Sequence, residues 1–588
     1  MPRRTPRVPL PLVLSALALP SLAAAHSAAA RPLPAVARAV DSGEAMVEES
    51  STVEVSHRRA SRSMPLVRGD GIEHLQHRPE SAPPYDVVLA NASIVDGTGA
   101  PRRRGHVAIA DGRIAAVRDT PFPAGSATRT IDVRGQVVAP GFIDLHAHIE
   151  PLLELPDATS AARQGVTFAL GGPDGGGPFP LAATMDSATA TGIGINVGYQ
   201  VGHNTIRRRV LGTQNRAPTA EELASMRAMV AQGMRDGAFG LSTGLIYIPG
   251  TYAALDEVLA LAEEAGRAGG IYTSHLRGEG LALIEGVTEA LEIGRRARVP
   301  VVLTHHKAVG PQMWGKSVVT LRLVDSARAA GTDVMVDQYP YTAASTSFDV
   351  LLPAWALAGG RDSLRARLAI PALKTRIERE ILGLLRNDGG GGDVRRVQFA
   401  SVQWDSTLNG KTLRDWADRR GAGPGLEAVV PLVLEGYFNG GASVVLHVMD
   451  ERDVRRIMAH PTTMIASDGR LSAPDNSVPH PRNYGTFPRV LGEYVRERQV
   501  ITLEEAVRKM TSMPAARLGL TDRGCLRVGC AADVVVFDPA TVRDRATFLA
   551  PHQYPEGIPW VFVNGVAVVA EHVPTGARPG MVLRKKVR

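Results

Sequence analysis

The sequence is poor in cysteine: Cys525 and Cys530 are the only two in 588 residues. They are open to pairing or to burial as small side chains. A chain of this size does not depend on a bridge, and neither carries an assigned role. No cysteine directly follows the N-terminal apolar run, so a lipid anchor of the lipoprotein type is not expected. A long uninterrupted hydrophobic run is also missing. The stretch from Val8 to Leu22 is too short and too broken by proline to span a bilayer, so stable membrane anchoring is not expected. No recognisable nucleic-acid-binding motif occurs. Much of the net charge of +7 is arginine scattered along the chain, as in Arg102-Arg103-Arg104 and Arg207-Arg208-Arg209. Such runs read as solvated surface, and no nucleic-acid partner is expected.

What is present begins with a targeting pattern. Arg3, Arg4 and Arg7 make a basic start, the apolar run follows, and Ala23-Ala24-Ala25 offers a small-residue cleavage site. This order predicts a signal peptide over residues 1–25 and an exported protein, periplasmic or secreted. Residues 26–83 are rich in Ala, Ser, Arg and Pro without sustained periodicity and read as a flexible leader.

From Tyr85 the pattern becomes that of folded chain. Asp86–Ala90 reads as a strand. His106–Ala110 and Arg113–Val117 flank Asp111-Gly112, a hairpin signal; near the other end Trp560–Val563 and Val566–Val569 flank Asn564-Gly565. Between these ends, short apolar runs that finish in polar residues alternate with helical periodicity. Gly270–His275, Val301–His305 and Asp333–Asp337 are such runs, and Leu283, Ile284, Val287, Leu291 and Ile293 carry the helical spacing. Repeated βα units imply parallel strands. The expected fold is α/β: a (β/α)8 TIM-type barrel over 139–515 with an insertion around 357–440. A small β-sandwich domain is expected from segments 84–138 and 516–588. A doubly wound sheet is the runner-up.

Polar residues recur at the C-terminal ends of these strands, where a barrel places its chemistry. His146 and His148 end the apolar stretch from Val137, two positions apart, so in a strand they face the same way. Asp174 lies in the Gly-rich segment after Val166–Leu170. His275 ends one strand; His305, His306 and Lys307 end the next; Asp468 follows Thr463–Ser467. Imidazoles and carboxylates suit Zn²⁺ and similar ions, and an ion with an open position lowers the pKa of its water to about 7. A carboxylate beside that water can take its proton and return it to a leaving nitrogen, and Asp468 is the candidate. The alternative for each residue alone is a buried, hydrogen-bonded polar group.

Pro140–His148, followed by His275, His305 and Asp468, resembles the amidohydrolase superfamily. Val201–Thr205, Gly240–Tyr247, Tyr272–Arg277, Thr304–Lys307, Tyr339–Tyr341, Ser467–Gly469 and His480–Arg489 are similar to the N-acyl-D-amino-acid deacylases, the D-aminoacylases, within it. The resemblance implies metal-dependent hydrolysis of N-acyl-D-amino acids. Its metal ligands match His146, His148, His275 and His305, with Asp468 as last-strand ligand and catalytic proton shuttle. Its substrate contacts match Lys307, Tyr339, Arg482 and, more weakly, Ser345. An arginine fork or a lysine would hold the free carboxylate of a small-molecule substrate. From the residues alone, Lys307 and Arg482 could also be surface ion-pairing groups, and Tyr339 a core aromatic.

One position departs from the family. Asp174 stands where D-aminoacylases place a bridging cysteine. An aspartate there could still bridge, implying one or two Zn²⁺ ions or another divalent metal, or could be a turn residue with no metal role. Other readings are a D-dipeptidase, a cyclic amide hydrolase acting on hydantoins or imides, and a non-catalytic binding protein on a barrel scaffold. The oligomeric state is not readable from the sequence.

Overall fold

The alternation of apolar runs and amphipathic stretches resolves into parallel strands joined by helices in a computed structural model that describes residues 83–586. The signal peptide expected over 1–25 and the leader expected over 26–83, apart from Pro83, lie outside the described residues. Phe142–Asp144 pairs with Val166–Gly171, which pairs with Asn196–Tyr199, all parallel. A hydrogen bond from the Phe239 amide to the Tyr199 carbonyl (2.8 Å) leads on to Gly240–Gly244. Gly240–Gly244, Ile271–His275, Val301–Leu303, Val334–Gln338 and Thr463–Ile465 then pair in that order, again parallel. The first and last runs meet as well. Ala147–His148 pairs with Gly469–Arg470, and the Asp468 amide donates to the His146 carbonyl at 2.9 Å.

Helices cover these strands, and their sequences say why. Leu283–Ala297 buries Leu283, Val287, Ala290, Ile293 and Ala297, a spacing of three and four that makes one apolar stripe. Ala220–Asp236 starts at a capping box, Thr219 with Glu222, and stops at Gly237 with φ 105°. The strands they cover are buried along their length, as parallel strands packed on both faces must be. Ile143, Phe168, Leu170, Phe239, Ile271, Val302 and Met464 belong to a second cluster, which Met513, Ala515 and Leu518 of the helix Ser512–Leu518 join. Each such buried Ile, Leu, Phe, Val or Met side chain contributes roughly 1.5–3 kcal/mol.

The two ends of the described chain share one nine-stranded sheet. Val534–Phe537 lies antiparallel to Val137–Pro140, and this seam joins the C-terminal strands Trp560–Val563, Val566–Ala570 and Val573–Pro574 to the N-terminal strands from Tyr85 onward. Both hairpins predicted from the sequence are present. Asp111 (φ 51°) with Gly112 (φ 71°), and Asn564 (φ 48°) with Gly565 (φ 83°), make the left-handed pairs that tight antiparallel turns need. Cys525 and Cys530 are disulfide-bonded beside this sheet.

Between Gln338 and Thr463 the chain leaves the parallel strands. Ala344–Ser347, Ser443–Leu446 and Val397–Ser401 form an antiparallel sheet, and helices including Pro371–Arg386 and Val430–Phe438 pack on it. Phe348, Ile381, Phe399, Trp416, Val433 and Val444 belong to its separate core. No helix among the described residues is long and apolar enough to cross a membrane.

Candidate metal centre

Six imidazole and carboxylate side chains converge beyond the C-terminal ends of the parallel strands. His146, His148, Asp174 and Asp468 form one group and Asp174, His275 and His305 a second, the ligand atoms of each lying within 4.8 Å of one another. Asp174 belongs to both. The same-face arrangement expected of His146 and His148 is visible in distances: their Nε2 atoms lie 3.5 and 3.2 Å from Asp468 Oδ1, and 3.4 and 3.7 Å from Asp174 oxygens. From the other side His305 Nε2 and His275 Nδ1 approach Asp174 Oδ1 at 3.4 and 3.7 Å.

The backbone that aims these groups is unusual. Asp174, His305 and Asp468 all have positive φ, at 53°, 36° and 50°. The left-handed conformation costs an L-residue about 1–2 kcal/mol, so something must hold it. At His305 the amide donates to Asp337 Oδ1 at 2.5 Å, and at Asp468 it donates to the His146 carbonyl. At Asp174 the flanking glycines are held by Ser242, whose Oγ accepts from the Gly175 amide (3.1 Å) and donates to the Gly172 carbonyl (2.6 Å). Gly202 lets this loop approach: a Cβ there would lie 1.9 Å from the Gly176 carbonyl oxygen. Buried Asp144 accepts from the amides of His146 (3.3 Å) and Ser467 (2.9 Å), tying the two ligand-bearing runs together.

The electrostatics call for a cation. Burial opposes ionisation of Asp174 and Asp468, but His146 beside the one and Arg482 beside the other outweigh it and hold both carboxyls well below their usual range. Burial opposes protonation of His146, yet Asp174 and Asp468 push that imidazole up to about 10. His146 Nε2, His275 Nδ1, Asp174 Oδ1 and Asp468 Oδ1 are buried without a hydrogen-bond partner. Each such orphan costs roughly 1–3 kcal/mol. Orphaned imidazole nitrogens and carboxylate oxygens within a few ångströms of each other suit a divalent cation of the zinc type.

The centre opens on a cavity of 580 Å³ whose wall includes His275, Lys307, Tyr339, Ser345, Asp468 and Arg482. The far wall comes from the antiparallel segment, through residues such as Val350, Leu352 and Tyr437. Neither Lys307 nor Arg482 is a surface group: they are 3% and 5% exposed. Arg482 Nη1 lies 2.7 Å from Asp468 Oδ2, and its Nη2 donates to the Ser345 carbonyl at 3.4 Å. The guanidinium also sits 4.8 Å from the Tyr339 ring centroid. Burial holds the Tyr339 phenol well above its usual range, so it keeps its proton as a donor.

Sequence reasoning missed several residues at the site. Glu279 accepts from Lys307 Nζ at 2.6 Å and lies 3.1 Å from His305 Nδ1. Tyr247 packs its ring 4.7 Å from that of His275 and lines the same cavity. Asp144, Asp337 and Ser467 fix the ligand-bearing backbone. Tyr247, Asp144 and Ser467 lie within motifs that carry the family resemblance, and Glu279 follows His275 by four residues in the loop beyond its strand. His306 sits next to His305 but turns away, with Nε2 2.7 Å from Thr320 Oγ1.

Known proteins share this arrangement of the chain. A family model described as the amidohydrolase family matches residues 129–569. The chain is 38% identical to the N-acyl-D-glutamate deacylase of Alcaligenes xylosoxydans xylosoxydans, over 85% of its own length and 96% of that protein. It superposes on the crystal structure of N-acyl-D-glutamate deacylase from Bordetella bronchiseptica, complexed with zinc and a phosphonate mimic of the tetrahedral intermediate. The TM-score is 0.73 at 35% identity, covering 85% of this chain and 99% of that one. A D-aminoacylase with a binuclear metal centre gives 0.72 at 36%, covering 85% and 100%. Matched over most of its length by the family model and by relatives well above 30% identity, the chain belongs to the amidohydrolase family.

Proposed function

We propose that this chain is a metal-dependent deacylase that hydrolyses the amide bond of N-acyl-D-amino acids, giving a carboxylate and a D-amino acid. The observation that carries the reading is the junction of six ligand-type side chains with a cavity into which two buried cations, Lys307 and Arg482, also face. His146, His148, Asp174 and Asp468 would hold one ion, and Asp174, His275 and His305 a second. Zinc suits these donors and is present in the Bordetella relative. When bound, such an ion acidifies water and polarises an acyl carbonyl.

The chain's own residues supply the rest. Arg482, whose Nε has no partner, has a donor left for the α-carboxylate of an N-acyl amino acid, and Ser345 lies beside it. Lys307 adds a second positive charge. Tyr339 donates its phenolic proton toward the oxygen on which charge develops. Asp468 takes a proton from the attacking water and passes it to the departing nitrogen. The D preference rests on the relatives, which are deacylases of N-acyl-D-amino acids by name.

The parallel strands support an eight-stranded barrel closed at the His146–Asp468 seam. The sheet shared by the chain ends supports a small β-sandwich domain built from both. The insertion is read as the segment from Ala344 to Leu446. The basic, apolar and small-residue order of the first 25 residues supports export to the periplasm or medium.

Zinc analysis paired with rates on N-acetyl-D-amino acids, N-acetyl-L-amino acids and hydantoins tests the proposal. Zinc-dependent release of D-amino acids is the expected result. Hydrolysis of hydantoins alone, or turnover indifferent to metal removal, overturns it.

A further inference from the structure

Glu279 has no part in the ligand groups, yet it touches both histidines of the second one. Its Oε1 lies 3.1 Å from His305 Nδ1; its Oε2 lies 3.6 Å from His275 Nε2, too far for a hydrogen bond, and that nitrogen is buried without a partner. These are the outer ring nitrogens. The inner ones, His305 Nε2 and His275 Nδ1, face Asp174. All three side chains are buried. The Glu279 carbonyl accepts from the Val309 amide at 2.8 Å, which fixes the loop that carries it.

A neutral imidazole has one N–H and one lone pair, and only the lone pair binds metal. A carboxylate at the outer nitrogen accepts the N–H there and leaves the lone pair pointing inward. A histidine partner of this kind fixes tautomer and ring orientation in metal sites generally. At His305 a competitor stands beside it. Lys307 Nζ lies 2.7 Å from the same Nδ1, and an ammonium can only donate. A bond from Lys307 to Nδ1 would use the outer lone pair and turn the ring's own N–H toward the metal position. The two neighbours of Nδ1 therefore ask for opposite tautomers. Lys307 is in turn held 2.6 Å from Glu279 Oε1, so the carboxylate also gives the ammonium another acceptor.

We propose that Glu279 is a positioning residue that sets His305 in the metal-binding tautomer and keeps Lys307 from imposing the other one. This rests on the reading of His305 as a ligand given above. The effect belongs to Glu279 as a hydrogen-bond acceptor, not only to its charge.

Chelator competition on the zinc-loaded full chain reads it directly. Wild type, Glu279→Gln, Glu279→Ala and the double variant Glu279→Ala with Lys307→Met are compared, with circular dichroism as the check on folding. Glu279→Ala is expected to weaken zinc retention by about 10–100-fold. Glu279→Gln, whose amide oxygen still accepts, should lose less. Adding Lys307→Met to Glu279→Ala should recover part of the loss, because the competing donor is gone. Equal losses in the Gln and Ala variants, or wild-type retention in Glu279→Ala, overturn the proposal and leave the deacylase reading standing. If Glu279→Ala fails to fold, Glu279→Gln decides with and without Lys307→Met: a loss that Lys307→Met partly recovers supports the proposal, and wild-type retention or an unrecovered loss overturns it. A wild-type chain that holds no zinc overturns this proposal together with the metal reading.

Discussion

Arg482 and Asp468 form a buried ion pair, with Nη1 2.7 Å from Oδ2, at the point where the ligand cluster meets the cavity. The pair joins the group assigned to the substrate carboxylate to the group assigned to the proton. Arg482→Lys keeps the charge and loses the planar fork. It should lower kcat/KM for N-acyl-D-amino acids by an amount equivalent to about 1.5–3 kcal/mol, as loss of one charge-assisted hydrogen bond does. Steady-state kinetics on one good substrate checks this, and an unchanged kcat/KM removes Arg482 from carboxylate binding.

Asp468→Asn leaves the shape of the site intact and removes the proton acceptor. The expected fall in kcat is about 10²–10⁴-fold, with zinc still found in the protein. Near-normal kcat would falsify the proton-carrying role.

Asp174 belongs to both ligand groups, so its replacement should be felt at both. Asp174→Ala is expected to reduce the zinc content of the purified protein. Asp174→Cys should instead raise the ratio of Cd²⁺ to Zn²⁺ affinity, because a thiolate is the softer donor. Competition between the two ions reads the ratio, and a ratio equal to that of wild type argues that residue 174 does not touch metal.

Gly202→Ala tests the packing under the Asp174 loop. The new Cβ would meet the Gly176 carbonyl oxygen at 1.9 Å, and backbone cannot move as a side-chain tip can. Destabilisation of roughly 1–3 kcal/mol is expected, together with weaker zinc retention. Thermal unfolding and metal analysis give both numbers; a stable variant with full zinc content shows that the loop has room.

Asp544 gives a pH dependence remote from the metal ligands. Burial pushes its carboxyl up to about 6, against the pull of hydrogen bonds from Tyr341 Oη and the Ala546 amide at 2.8 Å each. In the unfolded chain it titrates near 3.8. Between these values the folded state binds more protons, so this residue's contribution to stability falls as pH rises from about 4 to 6 and is constant above, by about 3 kcal/mol in all. Asp544→Asn should remove that slope. The difference in unfolding free energy between wild type and variant across pH 4–7 checks it; parallel curves dismiss the effect.

The converging side chains were readable as candidates because each follows an apolar run closely, so strand and chemistry appear together in the sequence. His146 and His148 show this most clearly. The hairpins at Asp111-Gly112 and Asn564-Gly565 were readable because left-handed turns restrict residue choice. Glu279 was not singled out, since a glutamate between glycines looks like any solvated loop charge until Lys307 and His305 are seen beside it. The pairing of Cys525 with Cys530 could not be chosen from spacing. Nor could the extent of the antiparallel segment: the strands Ala344–Ser347 and Ser443–Leu446 that frame it find each other only in space.

The seam between His146 and Asp468 also sets a time. These neighbours lie far apart along the chain, and the sheet that anchors the first parallel strand is completed by Val534–Phe537, later still. A nascent chain therefore carries all four histidines of the cluster long before it can close a site around them. Closure of the cluster waits for the segments that carry Asp468 and Val534–Phe537, and a product truncated before Asp468 lacks one member of the cluster.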